Sequence, residues 1–425
     1  MLRRARREDG GELADFNERM HTEASLPAGA ISEWTMDLFD VPHPTFRPDR
    51  DVTVVEDTTT GRIVSALFLI PQLWTYAGIT VNVAQPELIA THPDYRRRGL
   101  VRAQFDVIHE WSSAAGHVWQ FISGIPWYYR QFGYSYTIDL APRPVLWFAN
   151  AAPVSPPGLS VRPATADDLD FLAATEAEAT SGTRLGPLRG HDGFALELAR
   201  RPGGLLASEI LIIQAGDQPI GYAAHPSRLP NGLVTVRAVE LRRDTSWLAP
   251  TAALIAHLHG WASDHPDGPG RGIRWALPLD HPAIRCAATR VSAGPPGGYG
   301  LYVRVTDLAT VVRAVTPVLD ARLAVSPAVA WTGDLRLDLY DDGLQLHFDD
   351  GRLSSVQRWQ PPAVESDGGA DARLTNDTFL HLLLGNRPIA ELERTTADCL
   401  LQTDPGALLL DVLFPPMPAS TWEFC

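Results

Sequence analysis

The stretch Thr91-His92-Pro93-Asp94-Tyr95-Arg96-Arg97-Arg98-Gly99-Leu100-Val101-Arg102 joins three features that together bind anions. The run Pro86 to Thr91 is extended in character, and Pro93 closes it. A basic turn follows, ending at Gly99. Leu100, Val101, Phe105 and Ile108 then fall at helical spacing. Such a turn directs several backbone N–H groups and the positive end of a helix dipole at one point. That point suits a diphosphate, and Arg96, Arg97 and Arg98 add charge around it.

Other chemistries are excluded or weak. All 36 basic residues are arginine, so there is no P-loop lysine and no Schiff-base lysine. No G-x-S-x-G, C-x-x-C or H-E-x-x-H sequence occurs. His257 and His259 lie in a helical pattern, where positions i and i+2 diverge, so no metal site is expected.

A length of 425 residues is too great for one core and predicts two to three domains. No run of about 18 uncharged apolar residues occurs, so no membrane span is expected. The basic start Met1 to Arg7 is followed by Glu8-Asp9-Gly10 rather than an apolar run, which argues against a signal peptide. Cys286, Cys399 and Cys425 are too few and too scattered for a disulfide framework, so a cytoplasmic location is expected. The formal charge of −14 makes nucleic acid and membrane poor partners and favours a cationic small molecule.

The elements that must position the basic turn follow from pattern. Glu12 to Met20 reads as a helix, Val52 to Glu56 and Ile63 to Ile70 as a hairpin, and Thr80 to Thr91 as a strand. Ala103 to Ala115 reads as a helix and Val118 to Gly124 as a buried strand. The alternation predicts an α/β layer fold for residues 1–150. Ala149 to Gly158 is a Pro-rich linker. Beyond it, Val161-Arg162-Pro163 with Asp167-Asp168 echoes Leu2-Arg3-Arg4 with Glu8-Asp9, suggesting that residues 159–293 repeat the first fold. The corresponding loop, Leu241 to Leu248, has no glycine and carries Trp247, so this copy reads as structural. After the break at Gly294 to Gly300, residues 301–425 hold strands at Leu301 to Val305 and Leu335 to Phe348 and a helix at Thr375 to Leu384.

Arg96 to Val101 resembles the acetyl-CoA loop of the GCN5-related N-acetyltransferase superfamily, [QR]-x-x-G-x-[GA], with Val101 in place of the last small residue. Most of the chain resembles one family within it, the enhanced intracellular survival acetyltransferases. That resemblance also rests on Tyr129-Arg130-Gln131-Phe132-Gly133-Tyr134, on Leu301 to Arg304 with Asp307-Leu308, and on Glu423-Phe424. It implies an α/β (α+β) architecture of tandem acetyltransferase folds, the first catalytic and the second degenerate, followed by a sterol-carrier-protein-like domain. It implies transfer of acetyl from acetyl-CoA to a primary amine of a cationic, aminoglycoside-like or polyamine- or lysine-like molecule, no metal, and a homo-oligomer, hexameric by family habit.

Site roles are implied on the same basis. Ile89, Ala90 and Thr91 would pair with the pantetheine arm, and Arg96, Arg97, Arg98, Gly99, Leu100 and Val101 would take the pyrophosphate. Tyr129, three residues before Phe132-Gly133, matches the general acid. A tyrosine of pKa about 10 is protonated at neutral pH and can donate to a leaving thiolate. The terminal carboxylate, here on Cys425, would deprotonate or position the amine, with Trp34, Glu423 and Phe424 near the acceptor. A competing reading is a non-catalytic acyl-CoA- or lipid-binding protein that uses its third domain.

Overall fold

The structure, a computed structural model, describes residues 1–21, 26–140, 143–148, 153–181, 185–200, 203–293, 299–361 and 369–420. The chain opens with β1 (Leu2–Arg4), α1 (Gly10–Met20), α2 (Ala30–Asp40) and the single turn α3 (Pro48–Asp51). Then come β2 (Val52–Glu56), β3 (Ile63–Tyr76), β4 (Ile79–Thr91), α4 (Leu100–Ala114), β5 (Trp119–Ile122) and β6 (Ser135–Leu140). Runs of Val, Ile, Thr and aromatics drive the long β2–β3–β4 antiparallel ladder. On one face of this sheet, Leu13, Phe16, Ile31 and Phe39 pack on Val54, Phe68 and Ile70. On the other, Phe105 and Ile108 of α4 are fully buried against Leu67, Leu69 and Ile122. Burial of each such side chain contributes about 1.5–3 kcal/mol.

β4 is paired along one edge with β3 but meets β5, in parallel, only at Val83↔Trp119 and Ala84↔Gln120. Beyond Ala84 that second edge pairs with no strand among the described residues. A bulge at Leu88, whose φ is 49°, breaks the register with β3 between Ala66 and Phe68.

The strand Tyr299–Arg304 lies in this same sheet, between β5 and β6 and antiparallel to both. Leu185–Leu188 adds to the edge of β3 at Leu73–Tyr76. Conversely, Val145–Trp147 pairs with Gly272–Trp275 of the second region. Sheet membership therefore does not follow the boundaries expected at 150 and 301. Strand pairing is decided across space, and the sequence around each boundary carries only local breaks.

The second region repeats a local device of the first. Arg3 grips Asp9 through two bonds of 2.7 and 3.0 Å, and Arg162 grips Asp168 through two of 2.7 Å. In both, the carboxylate also accepts a backbone N–H three residues back, from Arg6 at 2.6 Å and from Thr165 at 2.8 Å. The third region is a five-stranded sheet (Arg352–Trp359, Gly343–Asp349, Gly333–Asp338, Ala372–Arg373, Leu400–Leu401) with five helices, among the described residues, between Leu308 and Leu413. Its core is continuous with the first sheet: Trp74, Tyr76, Trp119 and Val303 share one apolar cluster with Leu337, Phe348, Phe379 and Leu410.

Candidate active site

The splay between β4 and β5 opens a cleft of about 600 Å³. Ile89, Ala90 and Thr91 of β4 form one wall, and Arg96, Arg97, Gly99, Leu100 and Val101 form the loop end. Tyr128, Tyr129, Gln131 and Phe132, on the 3₁₀ turn Tyr128–Phe132, close the opposite side. Residues far apart in sequence, chosen for separate reasons, thus face one space.

The loop's geometry is that of an anion cradle. Gly99 is the N-cap of α4 with φ 74°, and Arg97 also has positive φ, at 62°. A Cβ on Gly99 would meet no atom within 4 Å, so backbone conformation and not space requires glycine there. The first amides of α4 have no acceptor within the helix and no side-chain cap, and Leu100, Val101 and Arg102, which carry them, line the cleft. Arg97 makes no ion pair among the described residues. Arg98 does not line the cleft: its guanidinium lies 4.7 Å from the Tyr95 ring centre and bonds Asp94 O at 2.8 Å. Tyr95 in turn donates to Asp57 and holds that carboxylate below its usual range. Arg98 therefore braces the loop from behind.

Two further tyrosines lie near Tyr129. Tyr134 is fully buried, donates to Gln120 and lies 3.3 Å from His109 Nε2, and burial raises its pKa well above that of a free phenol. Burial also raises Tyr128. Both are weaker acids than an exposed tyrosine. Tyr129 is 7% exposed, and its ring edge packs on Phe105 and Tyr302. Arg102 of α4 bonds the Tyr129 turn through Gln131 O at 3.3 Å and Gln131 Oε1 at 3.2 Å, so the helix bearing the loop also holds the turn.

Trp34 is not among the residues lining the cleft; it sits half-buried in the α1–α2 core. Glu423, Phe424 and Cys425 lie outside the described residues. Sequence reasoning missed Met20 and His21, which bring the end of α1 into the cleft, and Ile125 at its rim. Nothing in their local sequence marks them. Arg102 was within reach as the next cation along the quoted stretch.

Residues 25–137 match the family model for the acetyltransferase (GNAT) domain. The chain carries a GNAT N-acetyltransferase domain. The matched span includes the bulged strand, the Gly99 loop and Tyr129, and therefore the whole GNAT cleft except the end of α1. Solved structures share the fold over the full chain. A GCN5-related N-acetyltransferase from Kribbella flavida is 17% identical, with a TM-score of 0.68 over 100% of this chain and 98% of that one. One from Anabaena variabilis is 12% identical, with a TM-score of 0.70 and complete coverage of both chains. Eis1 from Mycobacterium abscessus is 15% identical, with a TM-score of 0.64 over 100% and 99%. No curated protein matches the sequence.

Proposed function

We propose that this protein transfers acetyl from acetyl-CoA to a primary amine of a cationic small molecule. The observation that carries the reading is the cleft itself, where the Gly99 cradle, the unpaired edge of β4 and Tyr129 meet. The cradle fits a pyrophosphate because positive φ at Arg97 and Gly99 makes a tight turn directly before α4, whose first amides lack a helical acceptor. The edge Ile89–Thr91 offers backbone groups to the pantetheine amides. When bound, acetyl-CoA supplies a thioester carbonyl for amine attack and a thiol leaving group. Tyr129 Oη delivers the proton that the departing sulfur needs. The charge of −14 raises the local concentration of a polycationic acceptor.

The same reading extends to the architecture. The repeated Arg–Asp clasp supports a second, degenerate acetyltransferase copy, and Glu178 supports its being structural. Its carboxylate accepts from Arg242 Nε at 2.8 Å and from the backbone N–H of Arg243 at 3.0 Å, and lies 3.6 Å from Arg243 Nε, so it engages both cations of the corresponding loop. The sequence resemblance is the basis for reading the chain as an enhanced intracellular survival acetyltransferase with a sterol-carrier-like third unit; the full-length likeness to Eis1 adds a shared fold. Leu335, Leu337, Leu346 and Phe348 fill that unit's core, which favours a scaffold over a lipid carrier.

For the base, the reading is a terminal carboxylate on Cys425. Ala419 bridges Leu185 in parallel, Ser420 N donates to Leu185 O at 2.8 Å, and Leu185–Leu188 runs along β3 from Tyr76 to Leu73. The last described residues therefore advance along β3 towards the end where Ala66 faces Ala90. The test of the whole proposal is release of free thiol from acetyl-CoA in the presence of a panel of amines. Acetyl-CoA binding with no amine-dependent release would leave a binding protein.

A further inference from the structure

The 3₁₀ turn bearing Tyr129 is poorly held by its own backbone. Two of its hydrogen bonds are long, Tyr128 N to Ile125 O at 3.3 Å and Arg130 N to Trp127 O at 3.4 Å, and only Gly133 N to Arg130 O, at 3.1 Å, is of ordinary length. It is entered through Trp127 at φ 68° and left through Gly133 at φ 83°. Tertiary contacts must therefore fix where the Tyr129 hydroxyl sits. Arg102 holds one side through Gln131. On the other side the contact comes from the third region. Asp377, in the first turn of the helix Asn376–Leu383, places Oδ2 3.5 Å from Arg130 Nη1, and its Oδ1 accepts the hydroxyl of Ser135 on β6. The same helix and the loop after it are fastened to the first sheet independently. Tyr76 Oη donates to Leu383 O at 2.6 Å, and Arg387 bonds Asp139 at 2.8 Å. Asp377 thus stands on a helix fastened to the first sheet and reaches the residue next to Tyr129.

We propose that Asp377 is a positioning residue for the acetyl transfer, setting the Tyr129 hydroxyl through Arg130. This rests on the reading of Tyr129 as the acid. Asp377 does not line the cleft. It acts on the step in which the proton moves, not on binding.

The test is a set of kinetic comparisons on the full-length chain. Asp377→Asn keeps the shape and the acceptor for Ser135 but removes the charge that holds Arg130. It is expected to lower kcat about tenfold, the scale of a small misplacement of a reacting group, with the KM for acetyl-CoA and the melting temperature essentially unchanged. Arg130→Gln should give the same loss, and the double variant should be no worse than either single one. In a Tyr129→Phe background, Asp377→Asn should cost nothing more, because there is no hydroxyl left to place. A structural role would cost the same factor in both backgrounds, and that result overturns the proposal. So does an Asp377→Asn enzyme with wild-type kcat. If Tyr129→Phe alone turns over at the wild-type rate, the acid reading fails, and this proposal falls with it.

Discussion

The hydroxyl oxygen of Tyr129 lies 3.1 Å from where a Cβ on Gly124 would stand, and Gly124 has φ 132°. Gly124, two residues past the end of β5, is thus part of the seat of the proposed acid. Tyr129→Phe keeps the ring and removes the donor. Turnover is expected to fall by about 10²–10⁴ with acetyl-CoA affinity nearly unchanged, while Tyr128→Phe does much less. Gly124→Ala should also lower kcat, because its methyl meets the ring and its φ is unfavourable for alanine. Steady-state kinetics with separate acetyl-CoA titrations decide this; wild-type turnover in Tyr129→Phe would reduce Tyr129 to packing.

One acetyl-CoA should bind per chain. Arg97→Glu is expected to weaken it by roughly 10–100-fold, the loss of one charge-assisted contact. Arg98→Glu should act less directly, through the loop, since Arg98 packs on Tyr95. Arg242→Glu and Arg243→Glu should leave affinity unchanged, as their partner is Glu178. Isothermal calorimetry measures both points, and two equal sites per chain would contradict them.

The chain end offers a third test. A Cβ on Gly186 would stand 2.6 Å from Ser420 O, so Gly186→Val should dislodge the segment leading to Cys425. A free α-carboxylate has a pKa of about 3.3–3.7 and is a weak base, so its part is to orient the ammonium or pass its proton through water. Gly186→Val, or extra residues added after Cys425, should lower kcat sharply while acetyl-CoA affinity and melting change little. Cys425→Ser should be nearly silent, because the carboxylate and not the thiol is proposed to act. Full activity in a C-terminally tagged enzyme would send the search for the base elsewhere.

Much of the cleft was legible because its signals are local. The Gly99 turn needs an αL residue before a helix, and Gly after three arginines announces it. Thr80 to Thr91 and Ala103 to Ala115 read nearly as β4 and α4 because period and Pro93 mark them. What stayed hidden depends on distant pairing. Leu301 to Val305 reads as a strand, yet nothing in it says that its neighbours are Ile122 and Ile138. The bulge at Leu88 carries no glycine, and Met20 and His21 enter the cleft only because α1 packs across the sheet. Trp34 was placed near the acceptor by family resemblance alone, and it packs partly buried on the α1–α2 core.

Acid stability should reflect four histidines held neutral chiefly by burial. His43 and His109 are pushed down to about 3, and His117 and His225 to about 4. The unfolded chain takes up these protons near pH 6.5, whereas the native state resists until far lower. Their contribution is thus fully present above about pH 6.5 and is lost as the pH falls towards 4. The melting temperature should drop steadily across that window, and His225→Gln should flatten the slope. A melting temperature constant from pH 6.5 to 4.5 would show that these groups do not stay neutral in the folded state.

The insertion of Tyr299–Arg304 between β5 and β6 has a consequence for how the molecule is made. During synthesis the catalytic sheet has a gap until residue 304 has left the ribosome, although its loop, bulge and acid turn emerged long before. Until then β5 and β6 present unpaired edges in a nascent chain, a state open to mispairing and chaperone capture. A fragment ending near residue 150 would be trapped in that state, so the transferase half is expected to be recovered soluble only when the later strand is supplied, in the same chain or as a separate piece.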